Sequence, residues 1–140
     1  MTKKIFQIRV CGITFISDKL LLITHKKSGK EYWVFPGGKV EFGEKAECAI
    51  LREFMEELNL EVKIKRFLFY NESLPPDYPV HSLNLFFLLK PLTTKIKLEE
   101  NSIIGKYDLF KKSSIKDIQL YPKINNVVIK NFSLWLNEIK

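Results

Sequence analysis

Glu53, Glu56 and Glu57 stand at the spacing i, i+3 and i+4. On a helix, at about 100° per residue, they fall within roughly a 100° arc. Three carboxylates on one face repel each other unless a cation lies among them. Hard divalent cations take oxygen ligands, so this set points to Mg²⁺ or Mn²⁺. Such a cation, with open positions, suits work on phosphates: it neutralises charge and acidifies a bound water. Arg52 lies four residues before Glu56, near enough to pair with it and orient it. Upstream, the run from Gly38 to Glu44 sets a glycine-rich turn at the mouth of the same helix.

The element that must carry these groups can be derived from the residues. Glu44 to Leu58 contains no glycine or proline and is rich in Ala, Glu and Leu, which are good helix formers. A helix is expected over about 45–58. Pro36-Gly37-Gly38 and Gly43 mark turns before it. Asn59 is the expected stop, because Asn tolerates the left-handed conformation used at helix C-termini. Ile50, Leu51, Phe54, Met55 and Leu58 fill the arc beside the acidic one and are expected to face the core.

This segment resembles the signature of the Nudix hydrolases, G-x5-E-x7-R-E-U-x-E-E-x-G-U, where U is bulky and apolar. Gly38, Glu44, Arg52, Glu53, Phe54, Glu56, Glu57 and Leu60 match it. Asn59 stands where the family usually has Gly; the position needs backbone freedom, and Asn is the next-best residue there. Trp33-Val34-Phe35-Pro36-Gly37-Gly38 also looks like the family's usual approach to the box. A solvated acidic helix face alone does not explain Gly38 and Glu44 at their offsets. The signature covers Gly38–Leu60, and flanking patterns extend the resemblance over most of the chain.

The resemblance implies an α/β fold: the Nudix α/β/α sandwich with a central mixed β-sheet, residues 1–140 forming one domain. It implies a metal-dependent pyrophosphohydrolase that cleaves a nucleoside diphosphate linked to another moiety by water attack on phosphorus. Glu53, Glu56 and Glu57 would be metal ligands, with the Gly38 carbonyl adding an oxygen. Glu44 would fix the loop against the helix, and Arg52 would pair with a box glutamate. The general base varies among family members. Glu99 and Glu100 lie in the loop that would supply it, or an extra ligand, here. Glu41 lies just before the turn and either reaches the site or lines it.

Composition bounds the rest. The chain has 140 residues, 46% hydrophobic and 28% charged, as expected of a globular domain with its own core. Net charge is +7. The box holds six acids and three bases, leaving 20 bases and 10 acids elsewhere, a basic body that would draw a polyphosphate towards an acidic pocket. Only Arg9, Arg52 and Arg66 are arginines, which argues against a nucleic-acid partner. Lys3 and Lys4 are followed by a stretch that Gln7 and Arg9 interrupt, so no signal peptide is read, and no run is long enough to span a membrane. Two cysteines without zinc spacing, Cys11 and Cys48, are read as buried thiols of a cytoplasmic protein. No motif places a histidine beside a serine or cysteine nucleophile.

The chain reads as strands around the box helix. Strands are expected over Phe6–Phe15, Leu20–Thr24 after a turn at Asp18-Lys19, Tyr32–Phe35, Lys39–Glu41, Glu61–Tyr70, Leu83–Leu89 and Tyr107–Phe110. Residues 71–80 hold Pro75, Pro76 and Pro79 and read as loop. Residues 99–106 are polar and ambiguous. A terminal helix is expected over Pro122–Ile139.

Substrate signals lie outside the box. Pro76 follows Leu60 at an offset resembling a marker of ADP-ribose pyrophosphatases, and Tyr78 resembles a marker of diadenosine-polyphosphate hydrolases. Both lie in one loop, so neither decides. ADP-ribose or a nucleotide sugar is the first expectation, with diadenosine polyphosphates and oxidised nucleoside triphosphates as rivals. A non-catalytic nucleotide sensor is the alternative of another class; such domains typically lose box carboxylates, which this chain keeps. Among Tyr32, Trp33, Tyr70 and Tyr78, core or rim packing is the plain expectation; Trp33 is the better core candidate and Tyr78 the better candidate for stacking on a base. His25 and His81 are expected at the surface or at strand ends. Whether the chain forms a homodimer is left open.

Overall fold

The computed structural model describes residues 4–27, 29–99 and 103–140. Its strands form two mixed sheets. In the first, β1 (Phe6–Ile13) is antiparallel to β5 (Gly37–Lys39) and parallel to β7 (His81–Pro91), and β6 (Val62–Ser73) pairs antiparallel with β7. In the second, β3 (Lys19–Lys27) is antiparallel to β2 (Phe15–Ile16), β4 (Lys30–Val34) and β8 (Ile104–Phe110), and β9 (Leu120–Tyr121) runs parallel to β4.

The layering follows from β3. Its run Leu20-Leu21-Leu22-Ile23 is apolar on both faces, as a strand covered on both sides requires. Leu20 and Leu22 join one core with Ile13, Phe86 and Leu88, and with Val128, Phe132 and Trp135 of helix α2 (Asn125–Glu138). Leu21 and Ile23 join a second core with Val10 and Leu89, and with Ile50, Phe54 and Leu58 of helix α1 (Ala46–Leu58). The strands thus lie between two helices. This is the expected α/β/α sandwich, with its β-layer divided into two sheets.

Helix α1 starts one residue inside the expected range, with Lys45 as N-cap, and stops where expected. Asn59 takes φ 51° and ψ 37°. Its N–H donates to the Met55 carbonyl, and the Leu60 N–H donates to that of Phe54, the paired pattern that closes a helix on a left-handed residue. The expected core face is corrected at two positions. Leu51 is 40% and Met55 46% exposed, because Glu57 takes an inward place that an apolar residue was expected to fill.

Other differences have local causes. The turn before β3 is centred on Ser17 and Asp18, both at positive φ, so Lys19 already belongs to the strand. The strand expected over Lys39–Glu41 lies earlier, because Gly37 and Gly38 pair with Cys11 and Val10. Residues Asn71 to Ser73 continue β6 rather than the loop, pairing with Asn84, Leu83 and Ser82. β8 starts at Ile104, within the stretch read as ambiguous. Helix α2 starts at Asn125 rather than Pro122. A short 3-10 turn (Lys112–Asp117) and β9 lie where the sequence has no clear period. Cys11 is buried as expected, but Cys48 is exposed; both are free thiols.

The helix stop yields a stability test. Asn59→Gly is expected to stay within about 0.5 kcal/mol of native. Asn59→Val, whose branched side chain resists the left-handed region, is expected to lose roughly 1–2 kcal/mol. Urea unfolding measures both.

Candidate active site

The site begins where β5 meets α1. Glu57 is only 6% exposed, and its Oε1 accepts a hydrogen bond from the Gly37 N–H at 2.9 Å. Gly37 has φ 156° and sits hard against the Val10 carbonyl, so no side chain fits there. Gly38 is less constrained: the space a Cβ would need is taken by the end of the Glu53 side chain, which would have to turn away. The two glycines let a strand lie directly against the acidic side of a helix.

Arg52 ties this side of the helix to the loop before it. Its Nε and Nη2 grip the Glu44 carboxylate as a fork, at 2.8 and 2.9 Å. Nη1 donates to Glu53 Oε1 at 3.0 Å and to Glu56 Oε2 at 3.2 Å, and Nη2 also donates to the Lys39 carbonyl at 3.1 Å. The pairing with Glu56 read from the spacing is present, but it is the longest of the contacts to carboxylates. Hydrogen bonds from Arg52 hold the Glu44 carboxyl down, to about 2. Glu44 Oε1 also accepts the Glu41 N–H at 3.1 Å. Glu44 and Arg52 therefore lock the loop to the helix.

Burial pushes the Glu57 carboxyl up to about 8, and the charge of Glu53 adds to the rise. Burial also raises Glu53, against the opposing pull of Arg52. The donor set suits a hard dication: three carboxylates on one side of α1, with the Gly38 backbone pressed against one of them. A cation there would supply the charge that burial denies these groups. Among the described residues no three Asp, Glu, His or Cys side chains already converge on one metal-sized point. Glu53 and Glu56 turn towards Arg52 instead, so gathering all three about an ion takes rotation of their side chains.

Glu99 comes close to this site. Its N–H donates to the Glu57 carbonyl at 2.7 Å, and its charge is felt at the Glu57 carboxyl. Glu100 lies outside the described residues. Glu41 is exposed, and its N–H donates to the Glu44 carboxylate.

A narrow cleft is lined by Arg9, His25, Tyr32, Phe35, Tyr78 and Tyr121 among others; no box carboxylate lines it, but the charge of Arg9 reaches Glu53 and Glu57. Tyr32 meets Tyr121 edge-on with ring centroids 5.1 Å apart, and meets His25 at 6.2 Å. Burial, aided by the Arg9 charge, pushes the His25 imidazole down to about 4. It is therefore neutral at pH 7. His25 is not at the surface or at a strand end, as expected from its isolation, but half-buried within β3. His81 does begin its strand, where it faces Glu72 at 2.7 Å. Trp33 is partly buried and packs edge-on to Phe110 against the core, and Tyr70 is 62% exposed, outside the cleft lining.

Of the substrate candidates read from the sequence, Tyr78 lines the cleft and Glu41 does not. Arg9, His25 and Tyr121 were not singled out. The one available signal was that Arg9 is one of only three arginines in a lysine-rich chain.

The NUDIX domain family matches residues 6–129. The chain therefore belongs to the Nudix family, and it is a hydrolase acting on phosphoric anhydride bonds. It is 30% identical over 134 residues to an ADP-ribose pyrophosphatase of Methanocaldococcus jannaschii, covering 93% of this chain and 75% of that protein. It is 35% identical over 114 residues to an 8-oxo-dGTP diphosphatase of Buchnera aphidicola, covering 81% and 87% respectively. Among solved structures, a MutT protein from Methanosarcina mazei matches with TM-score 0.78 at 16% identity, over 96% of this chain and 97% of that one, which supports the fold. Among the described residues, no helix is long and apolar enough to cross a membrane.

The raised Glu57 carboxyl makes metal-free stability depend on pH. A carboxyl at about 8 when folded and about 4.3 when unfolded favours the folded state in its protonated form. That contribution is complete below about 4.3 and is lost as pH rises to about 8. Glu57→Gln removes the dependence while keeping an acceptor for Gly37. With a chelator at pH 8, the variant is expected to melt roughly 5 °C or more above native, with the gap closing towards pH 4. Calorimetry across that range checks it, and Mn²⁺ is expected to stabilise the native protein more than the variant.

Proposed function

We propose that this chain is a Mg²⁺- or Mn²⁺-dependent pyrophosphohydrolase that cleaves a nucleoside diphosphate linked to a second moiety, with ADP-ribose or a nucleotide sugar as preferred substrate. The observation that carries the reading is the meeting of an acidic helix face with a ring-lined cleft. The first suits a cation and a diphosphate; the rings of the second suit a base, and its volume of about 50 Å³ must widen to admit a whole nucleoside. The relative named an ADP-ribose pyrophosphatase, aligned over 93% of this chain, favours the substrate class. The reading takes residues 1–140 as one catalytic domain in which Glu44, Arg52, Glu53, Glu56 and Glu57 form the working set.

Glu53, Glu56, Glu57 and the Gly38 carbonyl would hold the cation. When bound, it neutralises diphosphate charge and acidifies a water. Arg52 and Glu44 keep the loop and helix in register, so that the ligands keep a fixed spacing. Glu99, tethered to the end of α1, is the candidate to take the proton from the attacking water. Tyr32, Tyr78 and Tyr121 offer ring faces to the base. The neutral His25 offers one donor and one acceptor to it.

A second reading is supported by the Buchnera relative named an 8-oxo-dGTP diphosphatase: hydrolysis of oxidised nucleoside triphosphates at the same carboxylates. A non-catalytic sensor fits less well, because every box carboxylate is retained.

The test is product chromatography on a nucleotide panel with Mg²⁺ or Mn²⁺, comparing native protein with Glu57→Gln. Turnover is expected on ADP-ribose or nucleotide sugars, falling at least about 100-fold in the variant. Faster turnover of oxidised triphosphates would select the second reading. No turnover of any compound would favour the sensor.

A further inference from the structure

Arg9 is the one charged side chain among the residues that line the ring-walled cleft. It is half-buried on β1, and among the described residues its guanidinium has no ion pair and no side-chain hydrogen bond. The chain's other two arginines both have carboxylate partners: Arg52 grips Glu44, and Arg66 grips Glu138 at 2.8 Å. Among the described residues no carboxylate lies within ion-pair distance of Arg9; Glu53 and Glu57 feel its charge from farther off. The cleft lining contains no Asp or Glu. Asn84, across the sheet from Arg9, is already committed: its Nδ2 donates to Asn71 and Ser73, and its Oδ1 accepts from Ser82. A half-buried guanidinium with free donors and no paired carboxylate is a planar fork shaped for an oxyanion.

Its place in the fold says which oxyanion. Arg9 lies opposite Lys39 on β5, one residue from the Gly38 backbone that presses on Glu53. On its other side it faces the tyrosines. Its charge is felt both at Glu53 and Glu57 and at His25 and Tyr32. A nucleotide with its base among the rings and its diphosphate at the acidic face must pass its nucleoside-side phosphate across Arg9.

We propose that Arg9 grips the substrate phosphate next to the nucleoside, so that the cleft selects a nucleoside 5′-phosphate over a bare nucleoside. This rests on the placement of the nucleoside in the cleft argued above, and it predicts binding that needs neither metal nor turnover. The competing role for Arg9 is to offset the charge of Glu53 and Glu57 within the protein. That role gives no preference for a phosphate in the cleft.

The experiment is calorimetric titration, with a chelator present, of native protein, Arg9→Gln and Arg9→Lys. The probes are the four ribonucleoside 5′-monophosphates and the four matching nucleosides. At least one monophosphate is expected to bind native protein about 10- to 100-fold tighter than its nucleoside. Arg9→Gln is expected to abolish that preference while leaving the nucleoside affinity within about twofold, which also shows that the cleft is still folded. Arg9→Lys is expected to restore it in part, since a point charge replaces a fork. The proposal is overturned if native protein shows no preference for the phosphate, if Arg9→Gln keeps the preference, or if nucleoside and monophosphate affinities fall together. The nucleotide panel separates this from the hydrolase reading. Monophosphate binding without turnover of any compound sinks the hydrolase and leaves Arg9 as assigned; turnover without the phosphate preference does the reverse.

Discussion

A carboxylate buried as deeply as that of Glu57 is unfavourable in its ionised form unless neighbours compensate it. The surroundings compensate it only partly. Gly37 gives one N–H, Glu53 adds a like charge, and Arg52 is occupied with Glu44, Glu53 and Glu56. The architecture nearby follows from holding that group in place. Gly37 must approach closely to donate, which no residue with a side chain can do against the Val10 carbonyl. Helix α1 must not slide, so Phe54 and Leu58 anchor it in the core beside Glu57. The loop ahead of it must not swing, so Arg52 binds it at both Glu44 and Lys39. The deficit left over is one of positive charge, and its sign and location match a hard dication.

The far end of α1 serves the same purpose by backbone contacts. The Lys97 and Glu99 N–H groups donate to the carbonyls of Leu58 and Glu57, at 2.9 and 2.7 Å. These carbonyls belong to the last turn, which has no partner inside the helix. The segment that brings Glu99 to the site is therefore held by the helix it serves. Ile96 and Leu98 pack against the same core as α1, so this connection is a fitted strap.

Legibility in the sequence followed the range of the interactions. The spacing of Glu53, Glu56 and Glu57, the Glu44–Arg52 offset and the Asn59 stop are contacts within one helix and its two ends, and periodicity reports such contacts directly. Leu51 and Met55 were misplaced because an apolar arc was assigned on hydrophobicity alone. The pattern has no term for a glutamate that must point inwards. The cleft was mostly illegible for another reason. Arg9, His25, Tyr32, Tyr78 and Tyr121 come from β1, β3, β4, a loop and β9, and only strand order and register bring them together. β9 is two residues long, too short for any period to mark it.

Register also sets where the acidic helix and the ring-lined cleft stand relative to β1. Val10 and Arg9 are neighbours on β1, so their side chains point to opposite faces of the sheet. Val10 joins the core against α1, while Arg9 lines the cleft. Pairing with β5 sets Val10 opposite Gly38 and Arg9 opposite Lys39. A slip of one residue would turn Arg9 into the apolar core and Val10 into the cleft. The burial of Val10 against α1 thus fixes the position of the one cation in the cleft lining, and the glycines fix how closely the acidic face approaches it. The general basic charge of the chain does not act in this way: apart from half-buried Lys19, the described lysines are exposed, where solvent and salt screen them. They raise the chance of meeting a polyanion, whereas the buried register of β1 fixes where the one guanidinium of the cleft stands.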